Sequence, residues 1–307
     1  MNLFGEKNIS KSINIAIFTD ERKNISDTWN YISSIIIPTK KFNSLYDDLM
    51  SHRATVDYYN ELKFSEINNI GKKAELGKLW LSEILNDMDE RIYFNILGLN
   101  RKILDENKFG SGSLRKGANY ANLYNRFFRT NILAIKYYFG NYDNIIVDKI
   151  FHDKEGNLEK HDYFDWHSIW KLNHEKGIYN RFSTICFVDS DHKKEHRHPK
   201  ASQIVQFSDL LIGTVSHCLD FERKRHKGKN ELGFVLYPLI ERILKSPMNR
   251  NSSYRYYKKY DINFFPNSKY SEFNHLEQYI DKDRKILFGK LFAEIEDEKN
   301  GQYRLFK

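Results

Sequence analysis

Several short apolar segments of the chain have the length and pattern of β-strands. These segments are 12–20, 31–37, 91–99, 144–148 and 182–188. In the first, isoleucine occupies every second position from Ile13 to Ile17, which predicts a strand with one face on a core, and Asp20 falls on the opposite face. The fourth is a continuous apolar run, as in strands that are covered on both faces, and it also ends in an aspartate, Asp148.

Between these segments, apolar residues recur at intervals of three and four positions, which predicts helices. The predicted helices are 42–49, 76–85, 120–135, 166–170, 201–221 and 235–243. The helix over 201–221 is apolar on nearly every side, so we expect it to be enclosed. Because strands and helices alternate, the sequence predicts an α/β fold with a mixed sheet and helices on both sides.

Composition narrows the class of protein. Aromatic residues make up 15 % of the 307 residues, and the two cysteines, Cys186 and Cys218, have no metal-ligand spacing. A disordered chain, a disulfide scaffold and a thiolate zinc protein are therefore excluded. The sequence has no apolar window long enough to cross a membrane and no apolar leader at its start, so we expect a cytoplasmic protein without a membrane partner.

The net charge of +8 is concentrated towards the end of the sequence. Residues 221–307 contain 19 Lys and Arg against 12 Asp and Glu, whereas the preceding residues contain 30 against 29. This change predicts a core over 1–221 and a basic, aromatic-rich helical extension over 222–307 that packs on the core. Such a surface suits a nucleic acid, and a solvated basic surface is the alternative. The residues assigned to nucleic-acid binding are Arg115, Lys116, Arg223, Lys224, Arg225, Lys227 and Lys229.

Four acidic residues are candidates for chemistry. Asp20 and Asp148 end apolar strands, and Asp209 lies in the most apolar helix. Glu61, which precedes Lys63, is the fourth. A buried carboxylate is normally protonated, ion-paired or bound to a metal. Each of the three aspartates also has an ordinary alternative: Asp20 could cap a turn, Asp148 could pair with a lysine, and Asp209 could be a hydrogen-bonded core residue.

If the two strands are parallel neighbours, Asp20 and Asp148 emerge at one edge of the sheet, where a crossing helix can add Asp209. Oxygen ligands without Cys or a convincing set of His select Mg²⁺ or Mn²⁺, and such ions support hydrolysis of phosphodiester bonds. His192 and His196 have helical spacing, but the charged residues around them favour a solvated loop. The residues alone therefore indicate a divalent-cation site at Asp20, Asp148 and Asp209 that is suited to phosphoryl displacement, with Glu61 as a fourth candidate.

The order of several motifs resembles the prokaryotic domain-of-unknown-function family 3800. The motifs are Thr19-Asp20-Glu21, Glu61-Leu62-Lys63, Ile145-Ile146-Val147-Asp148, Val188-Asp189-Ser190 and Gln206-Phe207-Ser208-Asp209-Leu210-Leu211. The resemblance covers about residues 13 to 220. It implies a ribonuclease-H-like fold and a metal-dependent nuclease site for DNA or RNA. In that site Asp20, Glu61, Asp148 and Asp209 bind the metal, with Lys63 and Gln206 beside them. The sequence therefore predicts a metal-dependent nuclease in which Lys63 orients a carboxylate or contacts a phosphate, and Glu21 and Gln206 are supporting residues.

Two features depart from the family pattern. Arg22 and Lys23 replace the small residues that usually follow the first Asp-Glu, and Ser208 replaces the alanine that precedes the helical aspartate. These departures leave a second hypothesis open. The chain could be a catalytically inactive subunit of a prokaryotic defence or mobile-element system that binds nucleic acid, a protein partner or a second copy of itself.

Overall fold

The computed structural model of the chain describes residues 11–23, 29–100, 104, 118–154, 171–219, 226–245 and 259–265. The strands are β1 (Ser12–Lys23), β2 (Trp29–Pro38), β3 (Tyr93–Asn100), β4 (Asn144–Asp153), β5 (Ile178–Asn180), β6 (Cys186–Val188) and β7 (Tyr260–Phe265). The α-helices are α1 (Phe42–Val56), α2 (Lys72–Leu85), α3 (Ala118–Ile132), α4 (Ile135–Tyr138), α5 (Pro199–Leu219) and α6 (Lys227–Lys245). The predicted helix over 166–170 lies outside the described residues, as do Arg115, Lys116, Arg223, Lys224 and Arg225.

All seven strands belong to one mixed sheet, in the order β5-β4-β1-β2-β3-β7, and β6 also pairs with β4. The short strands β5 and β6 share one edge of β4: β5 pairs with 145–147 and β6 with 151–153. β2 is antiparallel to its two neighbours, and the other pairs are parallel. The sheet confirms the predicted α/β class.

Helices cover both faces of this sheet. On one face α5 packs across β1, β2 and β4, and α1, α2 and α6 pack around it. The core between them includes Phe18, Trp80 and Phe207. On the other face, α3 and α4 enclose a second core that includes Ile15 and Ile17. Since side chains alternate along a strand, Asp20 lies on the α5 face with Phe18, as the isoleucine pattern predicts.

The pairing of β1 with β4 contains a bulge. Ile15 lies opposite Val147, whereas Ala16 lies opposite Lys149, so that Asp148 is passed over in the register. β4 then continues through a buried His152 to Asp153. The expectation that this strand ends at Asp148 is therefore wrong.

Two described elements come from the basic extension. α6 packs against α2 and α5, and β7 pairs in parallel with β3 at the sheet edge. These contacts join both elements to the core, while the division of the chain at residue 221 stays a prediction. Across the described segments, no helix has both the length and the apolar character needed to cross a membrane.

Candidate active site

A cleft of about 220 Å³ lies where β1 and β4 end beside α5. Three aspartates from these three elements line it, namely Asp20, Asp153 and Asp209. The other lining residues are Glu21, Leu62, Lys63, Ser65, His152, Ser190, Val205 and Gln206. The parallel pairing of β1 with β4 brings two strand ends to the same edge, and α5 crosses that edge.

Asp20 is the most enclosed of the three carboxylates. It is 6 % exposed, and its Oδ1 accepts a hydrogen bond of 2.7 Å from the backbone N–H of Glu21. Burial raises the pKa of Asp20 well above its ordinary value, and the charges of Asp209 and Asp153 raise it further. The single backbone hydrogen bond does not offset these effects.

Asp153 is the residue that the sequence analysis missed. It is the last residue of β4, and burial followed by the charge of Asp209 raises its pKa to about 6. Hydrogen bonds from the backbone of Lys154 and the side chain of Ser190 lower the pKa of Asp153 in part. The preceding His152 is fully buried, and its Nε2 lies 2.8 Å from the hydroxyl of Tyr124, which anchors this end of the strand.

Asp209 faces the cleft from α5. Its Oδ2 accepts a hydrogen bond of 2.8 Å from the backbone N–H of Phe64. Burial raises the pKa of Asp209, while this N–H and the positive charges of Arg22 and Lys63 lower it in part. The three aspartates therefore share one cleft in which each ionised group disfavours the ionisation of a neighbour.

Glu61 and Lys63 approach the cleft from the segment between α1 and α2. Lys63 lines the cleft, and its Nζ lies 3.1 Å from Oε1 of Glu61. The hydroxyl of Ser190 donates to the same Oε1 at 2.7 Å. Lys63 and Ser190, which both line the cleft, thus hold Glu61, whose charge raises the pKa of Asp209. Its place among the metal ligands stays a prediction.

Gln206 connects this segment to α5. Its Oε1 accepts hydrogen bonds of 2.8 Å from the backbone N–H of Leu62 and from Nη2 of Arg53. Its Nε2 donates to the carbonyl of Ser190 at 2.6 Å. Arg53 is fully buried and also donates to the carbonyls of Tyr58 and Asn60. Both sides of the cleft are therefore tied to one amide side chain.

Ser208, one of the two departures from the family pattern, has a packing role. Its hydroxyl lies 2.8 Å from that of Ser33 in β2, and Ser33 donates to the backbone carbonyl of Asp20. The serine pair thus attaches α5 to the strands next to the carboxylates. An alanine at position 208 would leave the Ser33 hydroxyl without this partner.

Asp148 does not belong to the cluster, and its predicted place in it is wrong. Its carboxylate accepts a hydrogen bond of 2.6 Å from the hydroxyl of Thr39 and another from the amide of Asn14. It also forms an ion pair of 2.9 Å with Arg181. The bulge places Asp148 in the middle of β4 rather than at its end, and Asp153 takes the position beside Asp20.

The other assigned residues are placed as follows. Glu21 lines the cleft, and Lys229, in the first turn of α6, is partly buried close to Phe64. Lys227 is exposed. His192 is partly buried, with its Nδ1 3.3 Å from Nε2 of Gln206.

The cleft offers oxygen donors of the kind that Mg²⁺ and Mn²⁺ prefer. Carboxylates whose pKa values are raised by burial and by one another are also the groups that a cation would stabilise most. Among the described residues, however, no group of three or more His, Cys, Asp and Glu side chains is arranged so that it could hold a metal ion.

The sequence was also compared with known proteins. No protein-family model matches it, and no curated protein matches it significantly.

Proposed function

We propose that the cleft hydrolyses phosphodiester bonds of DNA or RNA with the help of a divalent cation, Mg²⁺ or Mn²⁺. Asp20, Asp153 and Asp209 would hold the cation. The observation that carries the proposal is that three carboxylates from distant parts of the chain line one cleft, Asp20 buried and Asp153 and Asp209 half-buried, where their ionisation is disfavoured without a positive charge. An arrangement with this energetic cost is typical of functional sites.

A cation bound there would supply Lewis-acid stabilisation of the charge that develops on the phosphoryl oxygens. The protein's own residues would hold and orient the reacting groups. Lys63 lines the cleft and would contact a phosphate there, with its ammonium group positioned by the ion pair with Glu61. The backbone N–H of Phe64 orients Asp209, and Gln206 holds the Glu61 segment against α5.

The sheet supports the ribonuclease-H-like part of the proposal. Among the strands β5-β4-β1-β2-β3, β2 runs opposite to the other four, so the sheet is mixed, and helices cover both of its faces. The carboxylates lie at the carboxyl ends of the central parallel pair, where ligands of open α/β sheets bind. The added strand β7 extends the sheet on the far side of β3.

The proposal is tested by incubating the purified chain with labelled single-stranded and double-stranded DNA and RNA. Cleavage is expected with Mg²⁺ or Mn²⁺ and is expected to stop in EDTA. Asp209→Asn should abolish it while the circular dichroism spectrum is unchanged. Cleavage that continues in EDTA, or that survives Asp209→Asn and Asp20→Asn, would contradict the proposed site.

Thermal melting gives a second measurement that does not depend on finding the substrate. A cation that binds the folded state raises its stability by mass action, by about 2.7 kcal/mol at 100 times the dissociation constant. Mn²⁺ should therefore raise the melting temperature of the wild type more than that of Asp209→Asn. Equal shifts for both proteins would count against a metal at this cleft.

The second hypothesis, an inactive subunit that binds nucleic acid or a partner protein, is favoured by one observation. The positive charges of Arg22 and Lys63 already lower the pKa of Asp209, so this carboxylate is partly compensated without a metal ion. In that case nucleic-acid binding should persist without cleavage, and Mn²⁺ should not change the melting temperature.

A further inference from the structure

Two cationic side chains lie over the same aromatic ring next to the cleft. The guanidinium carbon of Arg22 is 4.8 Å from the ring centroid of Phe64, and Nζ of Lys229 is 5.2 Å from it. Arg22 follows Asp20 on β1, whereas Lys229 comes from the first turn of α6. The fold thus brings two positive charges from distant parts of the chain to one place.

Phe64 links this pair to the carboxylates. Its ring is fully buried under the two cations, and its backbone N–H donates to Asp209. The charge of Arg22 lowers the pKa of Asp209, and Asp209 in turn favours the charged form of Lys229. Both cations are therefore close enough to Asp209 for their charges to interact with it.

Within the described part of the chain, neither Arg22 nor Lys229 forms an ion pair with a carboxylate. Nε of Arg22 is buried and has no hydrogen-bond partner there. Burial and the charge of Arg22 lower the pKa of Lys229, so the two cations repel each other where water is partly excluded. Two like charges held in this way gain most from an anion that both can contact.

The neighbouring histidine does not add to this charge. Burial lowers the pKa of His217 to about 4, with the charges of Lys229 and Arg22 acting in the same direction. Its Nε2 lies 2.9 Å from Oδ1 of Asn230. His217 is therefore neutral at neutral pH.

We propose that Arg22 and Lys229 form a phosphate-binding subsite that holds the backbone of a nucleic acid beside the aspartate cleft. The inference rests on the proposed function for the identity of the ligand. The nucleotide phosphate next to the one in the cleft would bind at this pair. Arg22, which departs from the family pattern, then has a role in binding the substrate, and its position relative to Asp209 determines where the strand crosses the cleft edge.

Binding is measured separately from cleavage, by fluorescence anisotropy of short labelled DNA and RNA oligonucleotides with the full-length chain in EDTA. Arg22→Gln and Lys229→Gln should each weaken binding several-fold. The binding constant falls as the salt concentration rises. For a duplex, each substitution should make the slope of the logarithm of the binding constant against the logarithm of the salt concentration less steep by about 0.9, the value expected for one lost phosphate contact. Arg22→Lys and Lys229→Arg keep the charge and should retain most of the affinity, which separates loss of the contact from misfolding.

Lys136→Gln is the matched control. This substitution removes one positive charge, as Arg22→Gln and Lys229→Gln do. Lys136 lies in α4 on the other face of the sheet, where it pairs with Glu175 at 2.6 Å. This variant should leave affinity and salt slope unchanged. The subsite proposal is overturned if the Arg22 and Lys229 variants bind like wild type, if Lys136→Gln weakens binding equally, or if poly-glutamate competes as well as the oligonucleotide does.

The two proposals can fail independently. Normal oligonucleotide binding that depends on Arg22 and Lys229, without cleavage under any metal condition, would leave the subsite standing and remove the nuclease proposal. Metal-dependent cleavage with an unchanged Michaelis constant in the Arg22 and Lys229 variants would support the nuclease proposal and remove the subsite.

Discussion

Nη2 of Arg53 donates to Oε1 of Gln206 at 2.8 Å, and neither side chain is exposed to solvent. Burial lowers the pKa of Arg53 to about 10, which leaves the guanidinium charged at neutral pH. Its cost of burial is offset by hydrogen bonds to Gln203 and to the carbonyls of Tyr58 and Asn60. The pair therefore fixes the segment that carries the cleft lysine.

Arg53→Lys tests this arrangement. An ammonium group cannot reproduce the planar set of donors, so some of the buried acceptors lose their partners, at a cost of about 1–3 kcal/mol. We expect the urea denaturation midpoint to fall accordingly. The exposed Arg181→Lys is the control and should change stability by less than about 1 kcal/mol. Equal effects of the two substitutions would contradict the structural role assigned to Arg53.

Asp153→Asn and Asp148→Asn form a matched pair on one strand. Asp153 lines the cleft, whereas Asp148 pairs with Arg181 away from it. Asp153→Asn should therefore lower the rate of metal-dependent cleavage about 100-fold or more, the usual effect of removing one group that stabilises developing charge. Asp148→Asn should leave cleavage near wild type, and its exposed ion pair contributes at most about 1 kcal/mol. The opposite ranking would restore the site as the sequence alone suggested it.

The raised pKa of Asp153 predicts how stability changes with pH in EDTA. Its ordinary value of 3.8 becomes about 6 in the folded protein, so between those values the folded state binds more protons than the unfolded state. The contribution of this carboxyl to stability therefore falls as pH rises through that window. Asp20 and Asp209 shift in the same direction.

Thermal melting of wild type and Asp153→Asn from about pH 4 to about pH 7 measures this effect. The asparagine variant cannot ionise at this position, so its stability relative to wild type should increase across the window and level off above it. A difference between the two proteins that does not vary with pH would mean that Asp153 has an ordinary pKa.

Gly213→Ala tests the packing behind Asp209. A Cβ at this position of α5 would overlap the Phe64 ring, because the Cδ1 atom of that ring would lie only 2.5 Å from it. Because the backbone of Phe64 donates to Asp209, moving the ring should disturb both the core and the cleft. We expect a loss of about 1–3 kcal/mol in a urea titration, as for other overpacked cores. Gly71→Ala is the control, since nothing lies within 4 Å of the Cβ that it would add.

The sequence predicts the sheet, the enclosed helix α5 and several residues of the cleft. Asp20 and Asp209 could be found because each interrupts a strongly apolar pattern, and such an interruption needs a physical reason. Lys63 and Gln206 were identified through their place in the motif order, and both lie at the cleft. Their chemical roles stay predictions.

Asp153 and Arg53 could not be found in this way. Lys149 breaks the apolar run of β4, so the local pattern predicts that the strand ends at Asp148. Ile150 and Phe151 nevertheless continue the buried pattern. The bulge that changes the register depends on pairing with β1, which a local pattern does not contain. Arg53 continues the helical spacing of Leu45 and Leu49 beyond the predicted helix over 42–49, and its hydrogen-bond partners on α5 follow from the packing of α1 against α5.

β7 gives the sheet a late step in its assembly. Asn263 of this strand hydrogen-bonds Asn95 of β3 although the two are 168 positions apart in the chain. During synthesis, β3 must wait with an open edge until the residues of β7 have left the ribosome, and an open edge invites pairing with other chains. Shortening the protein before residue 260 would make that temporary hazard permanent, so aggregation is the expected fate of such a fragment.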